Sequence, residues 1–203
     1  MGNRKNKEIS VIEMLSFGGT QFGASIFMAF TSYYLLMFCT DIAMIPAPIV
    51  GVLLIVYRVF CGLDTQAIGL MINRVRFKDG KFRPYLKWCA LPFGISIAAL
   101  GLAPSIPASM RIIYVMAVLF LCDLGWSVLH TASMSMLPYL AREDVNRSKI
   151  MSFSNSSSIL AYVIIGTLMI PLTALLGGND AHRGFAITLA LLGAITVPLF
   201  FNA

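Results

Sequence analysis

Residues 14–40 read MLSFGGTQFGASIFMAFTSYYLLMFCT, 27 positions without a single Asp, Glu, Lys or Arg. A helix rises 1.5 Å per residue, so a stretch this long reaches about 40 Å, more than the ~30 Å hydrocarbon core of a bilayer. Comparable gaps in charge recur between Lys87 and Arg111, between Lys149 and Asp180, and from Gly184 to Ala203. Two further apolar stretches carry isolated ionisable groups: Pro48 to Ile72 holds Arg58 and Asp64, and Ile112 to Leu140 holds Asp123 and His130. The pattern predicts an all-α membrane protein with six transmembrane helices over about 12–38, 48–72, 85–104, 111–138, 150–176 and 184–202. Residues 1–11 form a tail ahead of the bundle at 12–203.

Composition agrees with this reading. The chain is 58% hydrophobic and only 12% charged, against roughly a quarter charged in soluble domains, so a polar-skinned globule is excluded. Disorder is excluded by the same figures. Six spans of about 20 residues with short connections account for the 203 residues. The connections look like turns: Ile45-Pro46-Ala47-Pro48, Pro104-Ser105-Ile106-Pro107 and Leu176-Gly177-Gly178-Asn179-Asp180. The basic start (Arg4, Lys5, Lys7) is not followed by a short apolar core and cleavage site, so it reads as a lead-in rather than a signal peptide.

Positive charge predicts the orientation. Twelve of the 15 Lys and Arg residues fall in the tail, in the loop after the second span (Arg74, Arg76, Lys78, Lys81, Arg83, Lys87) and in the loop after the fourth (Arg142, Arg147, Lys149). Basic loops stay cytoplasmic, so both ends are expected there, in a multi-pass protein of the cell membrane. Topology thus accounts for the net charge of +6, and no nucleic-acid partner is needed. Cys39, Cys61, Cys89 and Cys122 contain no C-x-x-C pair, and dinucleotide, phosphate-loop, nucleophile-elbow and zinc-protease motifs are absent. No enzyme, metal or cofactor is expected.

Ionisable groups at membrane depth cost about 2.5–3.5 kcal/mol each on insertion scales, which makes them candidates for function. In the fourth span Asp123, Ser127, His130 and Met134 share one helical face. In the second, Arg58, Cys61 and Thr65 do so, with Asp64 a turn around from Cys61. The first span aligns Gln21, Ser25 and Ser32; the fifth aligns Ser148, Ser152 and Asn155, followed by Ser156, Ser157 and Ser158. The third and sixth are almost free of polar residues, so the expectation is a cavity lined by spans one, two, four and five. Plainer readings stand beside these: serine runs as close-packing positions, Arg58 as the ion-pair partner of Asp64 or Asp123, and His130 as a satisfied buried histidine.

Several strings resemble a known family. Leu15-Ser16-Phe17-Gly18-Gly19, then Ser32 through Asp41, and above all Gly69-x-x-x-Asn73-Arg74 leading to Gly80-Lys81-Phe82-Arg83-Pro84-Tyr85-Leu86, are similar to the glycoside–pentoside–hexuronide:cation symporters, the melibiose-carrier-like branch of the major facilitator superfamily. Asn73 stands where that family usually has Asp. The resemblance implies the N-terminal six-helix half of such a carrier, with Asn73, Arg74, Gly80, Lys81, Arg83 and Pro84 as a cytoplasmic gate. It further implies coupling positions at Arg58, Cys61, Asp64 and Thr65 and solute positions at Ser25, His130 and Asn155, to which the polar face of the fourth span adds Asp123. The family's paired cation aspartates fall on Cys61 and Thr65, so proton coupling through Asp64, Asp123 or His130 fits these residues better than Na⁺.

The expected function is secondary transport of a sugar- or glycoside-like polar solute by alternating access, coupled to H⁺ or Na⁺. The expected partners are the lipid bilayer and a second six-helix half or a second copy of the chain. The alternative is a truncated half-bundle that folds but transports nothing; a membrane hydrolase built on Asp123 and His130 has no nucleophile motif behind it.

Overall fold

The computed structural model describes residues 11–74, 83–140, 144–178 and 180–201, and every regular element among them is helical. Helix α1 (Val11–Tyr33) is followed by the short α2 (Leu35–Met37) and a π-helical turn (Phe38–Ile42). Then come α3 (Ala47–Arg74), α4 (Arg83–Leu100), a 3-10 turn (Ala103–Ser105), α5 (Ala108–Leu140), α6 (Asp144–Gly177) and α7 (Ala181–Phe201). Helices α3, α5, α6 and α7 are each long and apolar enough to cross a bilayer, and α1 with its continuation makes a fifth such span, bent by 61°. The apolar part of α4 is shorter, Trp88–Leu100, because Arg83 and Lys87 occupy its first turns and the chain turns again at Ala103–Ser105.

The bend in the first span is held by a contact with α6. Tyr34 leaves the helical path with φ −118° and ψ −9°, and its hydroxyl donates to the carbonyl of Gly166 on α6 at 2.7 Å. Beyond it, the Ala43 N–H donates to the Phe38 carbonyl at 2.8 Å, one residue further back than in an α-helix. Met44, at φ 50°, then turns the chain into the left-handed region, and Pro46 follows where no further helical N–H is required.

Packing joins α1 to α6 and α7, α4 to α7 and α5, and α3 to α5, while α1 and α5 bring the two polar-striped pairs side by side. An edge-to-face column, Phe27–Phe93 at 5.6 Å and Phe93–Phe200 at 6.3 Å, links α1, α4 and α7. The α4–α7 crossing is close because glycines meet: a Cβ on Gly94 would lie 2.8 Å from the Gly193 carbonyl oxygen, and one on Gly193 would collide with the Gly94 carbonyl. In lipid, where apolar surface gains nothing by leaving its solvent, such small-residue approach is what drives helix association.

Helix α3 shows what the bundle asks of its edge. Val50, Tyr57 and Asp64, seven residues apart, are buried together with Ile68, whereas Val52, Ile55, Val59, Leu63 and Leu70 are exposed. One strip meets α5, and an apolar face looks outward, as lipid contact requires.

Three turns collect at one end of the molecule. Arg111, in the first turn of α5, donates to the carbonyls of Ala43 at 3.0 Å and of Ile106 at 3.1 Å from two nitrogens, and reaches Pro104 at 3.4 Å. A cavity of about 390 Å³ places Gly101–Ser105 beside Asp180, His182 and Arg183. The turns after the first, third and fifth spans therefore share this end.

Candidate functional site

Asp64 and Asp123 face each other at the seam between α3 and α5. Asp64 is 6% exposed and Asp123 0%, and each sits well inside a long helix, far from either end. Three hydroxyls hold them. Tyr57 donates to Asp123 Oδ1 at 3.1 Å, Ser127 donates to Asp64 Oδ2 at 3.1 Å, and Thr65 donates to Asp64 Oδ1 at 3.2 Å. The Thr65 and Ser127 hydroxyls are themselves 3.3 Å apart. Cys61 lies against the same two carboxylates and Tyr57. The remaining oxygen, Asp123 Oδ2, is buried without a hydrogen-bond partner among the described residues.

The helical register explains this arrangement. Tyr57 and Asp64 are seven residues apart on α3, and Asp123 and Ser127 four apart on α5, so each pair projects from one face toward the other helix. Two carboxylates buried side by side cannot both keep a negative charge cheaply, since the effective penalty for each buried ion is several kcal/mol.

Of the other sequence-derived candidates, those on α5 and α1 lie near one another, whereas those on α6, which packs mainly on α1 and α7, are not brought to this seam. His130, two turns along α5 from Asp123, is half-buried and stacks flat on Trp126, with centroids 4.8 Å apart and planes at 12°. Trp126 in turn donates its indole N–H to the Ala24 carbonyl of α1 at 3.1 Å. Ser25 is buried at 8% exposure, one turn from Gln21, whose Nε2 is buried and unpartnered among the described residues. Asn155 is exposed on α6, as are Ser148, Ser152 and Ser156.

Arg58 behaves differently from its ion-pair reading. It points to the exposed side of α3 and makes no ion pair among the described residues, because a one-residue step rotates it about 100° away from Tyr57. The seam partner is the tyrosine before it. Of the expected gate, Asn73 and Arg74 close α3 and Arg83 and Pro84 open α4, while Gly80 and Lys81 lie outside the described residues.

Two members of the site are missed by reading charge alone. Tyr57 carries no formal charge and does not stand out in an apolar helix; its seven-residue spacing from Asp64 is the signal that marks it. Trp126 is found by stepping one turn back from His130 on the same face.

The chain matches the model of the MFS/sugar transport protein family over residues 16–203. It is 29% identical over 192 residues to an isoprimeverose transporter of Lactiplantibacillus pentosus, covering 93% of this chain and 40% of that protein. It is 27% identical to the inner membrane symporter YicJ of Escherichia coli K12, covering 94% and 42% respectively. A third relative, the putative glycoside/cation symporter YagG of the same organism, is 28% identical over 84% of this chain and 37% of its own length. The chain thus spans about two-fifths of the length of the curated relatives it matches. Long apolar helices, an intramembrane carboxylate seam and a family match over nearly every residue lead to one assignment: the chain belongs to the MFS/sugar transport protein family, whose members are multi-pass membrane transporters and not enzymes.

Proposed function

We propose that the chain is the N-terminal six-helix half of a secondary transporter that moves a sugar- or glycoside-like solute across the cell membrane by alternating access, driven by a proton taken up at Asp64–Asp123. The observation that carries this reading is the buried pair itself, with one carboxylate oxygen, Asp123 Oδ2, without a hydrogen-bond partner among the described residues. A proton needs one such oxygen. A hard metal cation needs roughly six oxygen ligands, and three of the four carboxylate oxygens here already accept hydrogen bonds, from Tyr57, Ser127 and Thr65. The names of the relatives, an isoprimeverose transporter and a glycoside/cation symporter, support a sugar-like solute moving with a cation.

His130 on its indole platform, Ser25 and Asn155 form one wall of the solute cavity. The facing wall belongs to a second six-helix half or to a second copy of this chain, as in carriers built from inverted repeats. Both ends of the chain are cytoplasmic, and the loop that includes Asn73, Arg74, Gly80, Lys81, Arg83 and Pro84 latches the cavity on that side. Twelve basic residues at this end against Arg111 and Arg183 at the other support the orientation.

Uptake of labelled α- and β-glycosides into cells expressing the chain, with and without a co-expressed second half, tests the proposal. Accumulation that collapses with a protonophore and ignores Na⁺ is expected. No accumulation in either background overturns transport; accumulation that requires Na⁺ and survives the protonophore overturns proton coupling.

A further inference from the structure

The cavity of about 390 Å³ at the end of the bundle with few basic residues takes no part in transport as proposed above. Gly101, Leu102 and Ser105, where α4 turns toward α5, line it together with Asp180, His182 and Arg183 at the start of α7. Its size falls in the range of small-molecule sites. Asp180 and Arg183 stand three residues apart with opposite charges, yet neither makes an ion pair among the described residues. The Nδ1 atom of half-buried His182 is itself buried and lacks a hydrogen-bond partner among the same residues. The cavity thus presents a carboxylate, a guanidinium and an unfilled imidazole nitrogen together. An occupant that answers all three carries an anion and a hydrogen-bonding cation in one small group.

The surroundings of the cavity say what that group is attached to. Ala181–Phe200 is an apolar membrane segment, so its first residues mark the level where hydrocarbon gives way to headgroups. From there an apolar groove runs into the bilayer between α4 and α7. Its floor is the close approach of the two backbones: a Cβ on Gly94 would lie 2.8 Å from the Gly193 carbonyl oxygen, and one on Gly101 would lie 2.7 Å from the Ala186 Cα. Ile95, Leu102, Ala194 and Ile187 each come one residue after one of these contact positions, a rotation of about 100°. The two helices run in opposite directions, so that rotation turns all four to the same side of the crossing, and all four are exposed. Leu102 and the exposed Leu91 are separated by about 16 Å along α4, close to the ~15 Å half-thickness of a hydrocarbon core. The polar stripes lie on other helices, so this flank faces lipid.

The geometry points to a binding site for one phospholipid with a primary-amine headgroup. Its phosphate sits at Arg183 and His182, its ammonium at Asp180, and one acyl chain lies along the α4–α7 groove. Guanidinium and phosphate form charge-assisted hydrogen bonds, and a primary ammonium has three hydrogens to donate to a carboxylate. A trimethylammonium carries the same charge without a donor, and a glycerol headgroup carries no cation. The site depends neither on the solute nor on which side of the membrane this end occupies.

Native mass spectrometry of the purified full chain in detergent measures the preference, with phosphatidylethanolamine, phosphatidylcholine and phosphatidylglycerol of identical acyl chains as probes. The ethanolamine lipid is expected to bind about fivefold tighter than either of the others, or more. Asp180→Asn should bring the ethanolamine and choline lipids to within twofold of each other. Arg183→Gln should weaken all three about threefold or more, whereas Lys149→Gln, exposed near the opposite end, should leave them unchanged. Glycerophosphoethanolamine, the same headgroup without acyl chains, should not displace the lipid at a hundredfold excess. If Arg183→Gln fails to fold, Ser105→Phe, which fills the cavity from an exposed position, should remove the preference in its place. Equal affinity for the three lipids overturns the site, as does a preference that survives both Asp180→Asn and Ser105→Phe. Equal losses in Arg183→Gln and Lys149→Gln reduce the effect to general surface charge and overturn it too. Displacement by glycerophosphoethanolamine at concentrations near that of the lipid assigns the cavity to a soluble phosphate compound and overturns the phospholipid.

Discussion

Asp123 illustrates how far single residues are legible. An aspartate inside an apolar run announces itself, and its helical spacing to Ser127 and His130 is visible in the sequence. What holds it is not, because that depends on which strip of α3 turns toward α5. Arg58 is the natural partner by charge, yet Tyr57 occupies the buried strip and Arg58 the exposed one. Two substitutions test that difference. Tyr57→Phe removes a hydrogen bond to a carboxylate and leaves both Asp123 oxygens unpartnered, a loss of about 1.5–3 kcal/mol; the midpoint of thermal unfolding in detergent should fall by several degrees. Arg58→Gln, at an exposed position without an ion pair, should shift stability by no more than about 0.5 kcal/mol. The opposite ranking would place the arginine in the seam. For the transport step, Asp123→Asn and Asp64→Asn should each abolish solute accumulation against a gradient while solute exchange in proteoliposomes persists, since the cavity wall remains but the shared proton site does not. His130→Ala should lower uptake about tenfold or more, and His130→Phe, which keeps the ring stack on Trp126, should not restore it if the imidazole contacts the solute.

At the scale of helices, span positions can be read from gaps in charge because a bilayer penalises charge more reliably than any propensity favours a helix. Two features need the structure. The bend at Tyr34 depends on a carbonyl 132 residues away, at Gly166, and no local pattern reports that. The tight α4–α7 crossing depends on which glycines coincide. Gly94, Gly193, Gly51 and Gly62 look alike in the sequence, but the first two meet backbone to backbone, whereas a methyl group added at either of the last two would have nothing within 4 Å. Their substitutions should therefore diverge. Gly193→Ala sets a methyl against the Gly94 carbonyl, which cannot swing aside as a side chain would, and should destabilise by about 1–3 kcal/mol. Gly62→Ala should be neutral or stabilising by up to ~1 kcal/mol, the helix-propensity gain of alanine over glycine. Thermal unfolding of the two variants in one detergent checks the contrast, and similar losses in both would mean that the α4–α7 contact does not form as described.

For the whole molecule, the sequence and the structure approach sidedness independently. The sequence sorts basic residues into two groups of loops. The structure, without reference to charge, gathers the turns at 43–46 and 101–107 and residues 180–183 at one end, tied by Arg111 and by the cavity lined with Asp180, His182 and Arg183. That end carries the sparse basic residues, so the helix termini at Arg74, Arg83 and Asp144 belong to the basic end. Arg111 is then one of two exceptions to the positive-inside rule, with Arg183, and its hydrogen bonds to backbone carbonyls supply the reason for its place. Because a guanidinium offers several donors in a fixed fork and an ammonium does not, Arg111→Lys should lose most of the stabilisation that Arg111→Ala loses. The sidedness itself is tested in a background with all four cysteines replaced by alanine. Single cysteines introduced as Ser105→Cys and Gly178→Cys should react in intact cells with a membrane-impermeant maleimide. Lys78→Cys and Arg142→Cys should react only after the membrane is opened. Labelling of Ser105→Cys and Gly178→Cys on opposite sides would contradict the shared end, whereas labelling of both only after opening would keep the bundle and invert its orientation, moving the basic loop and its proposed latch to the outside.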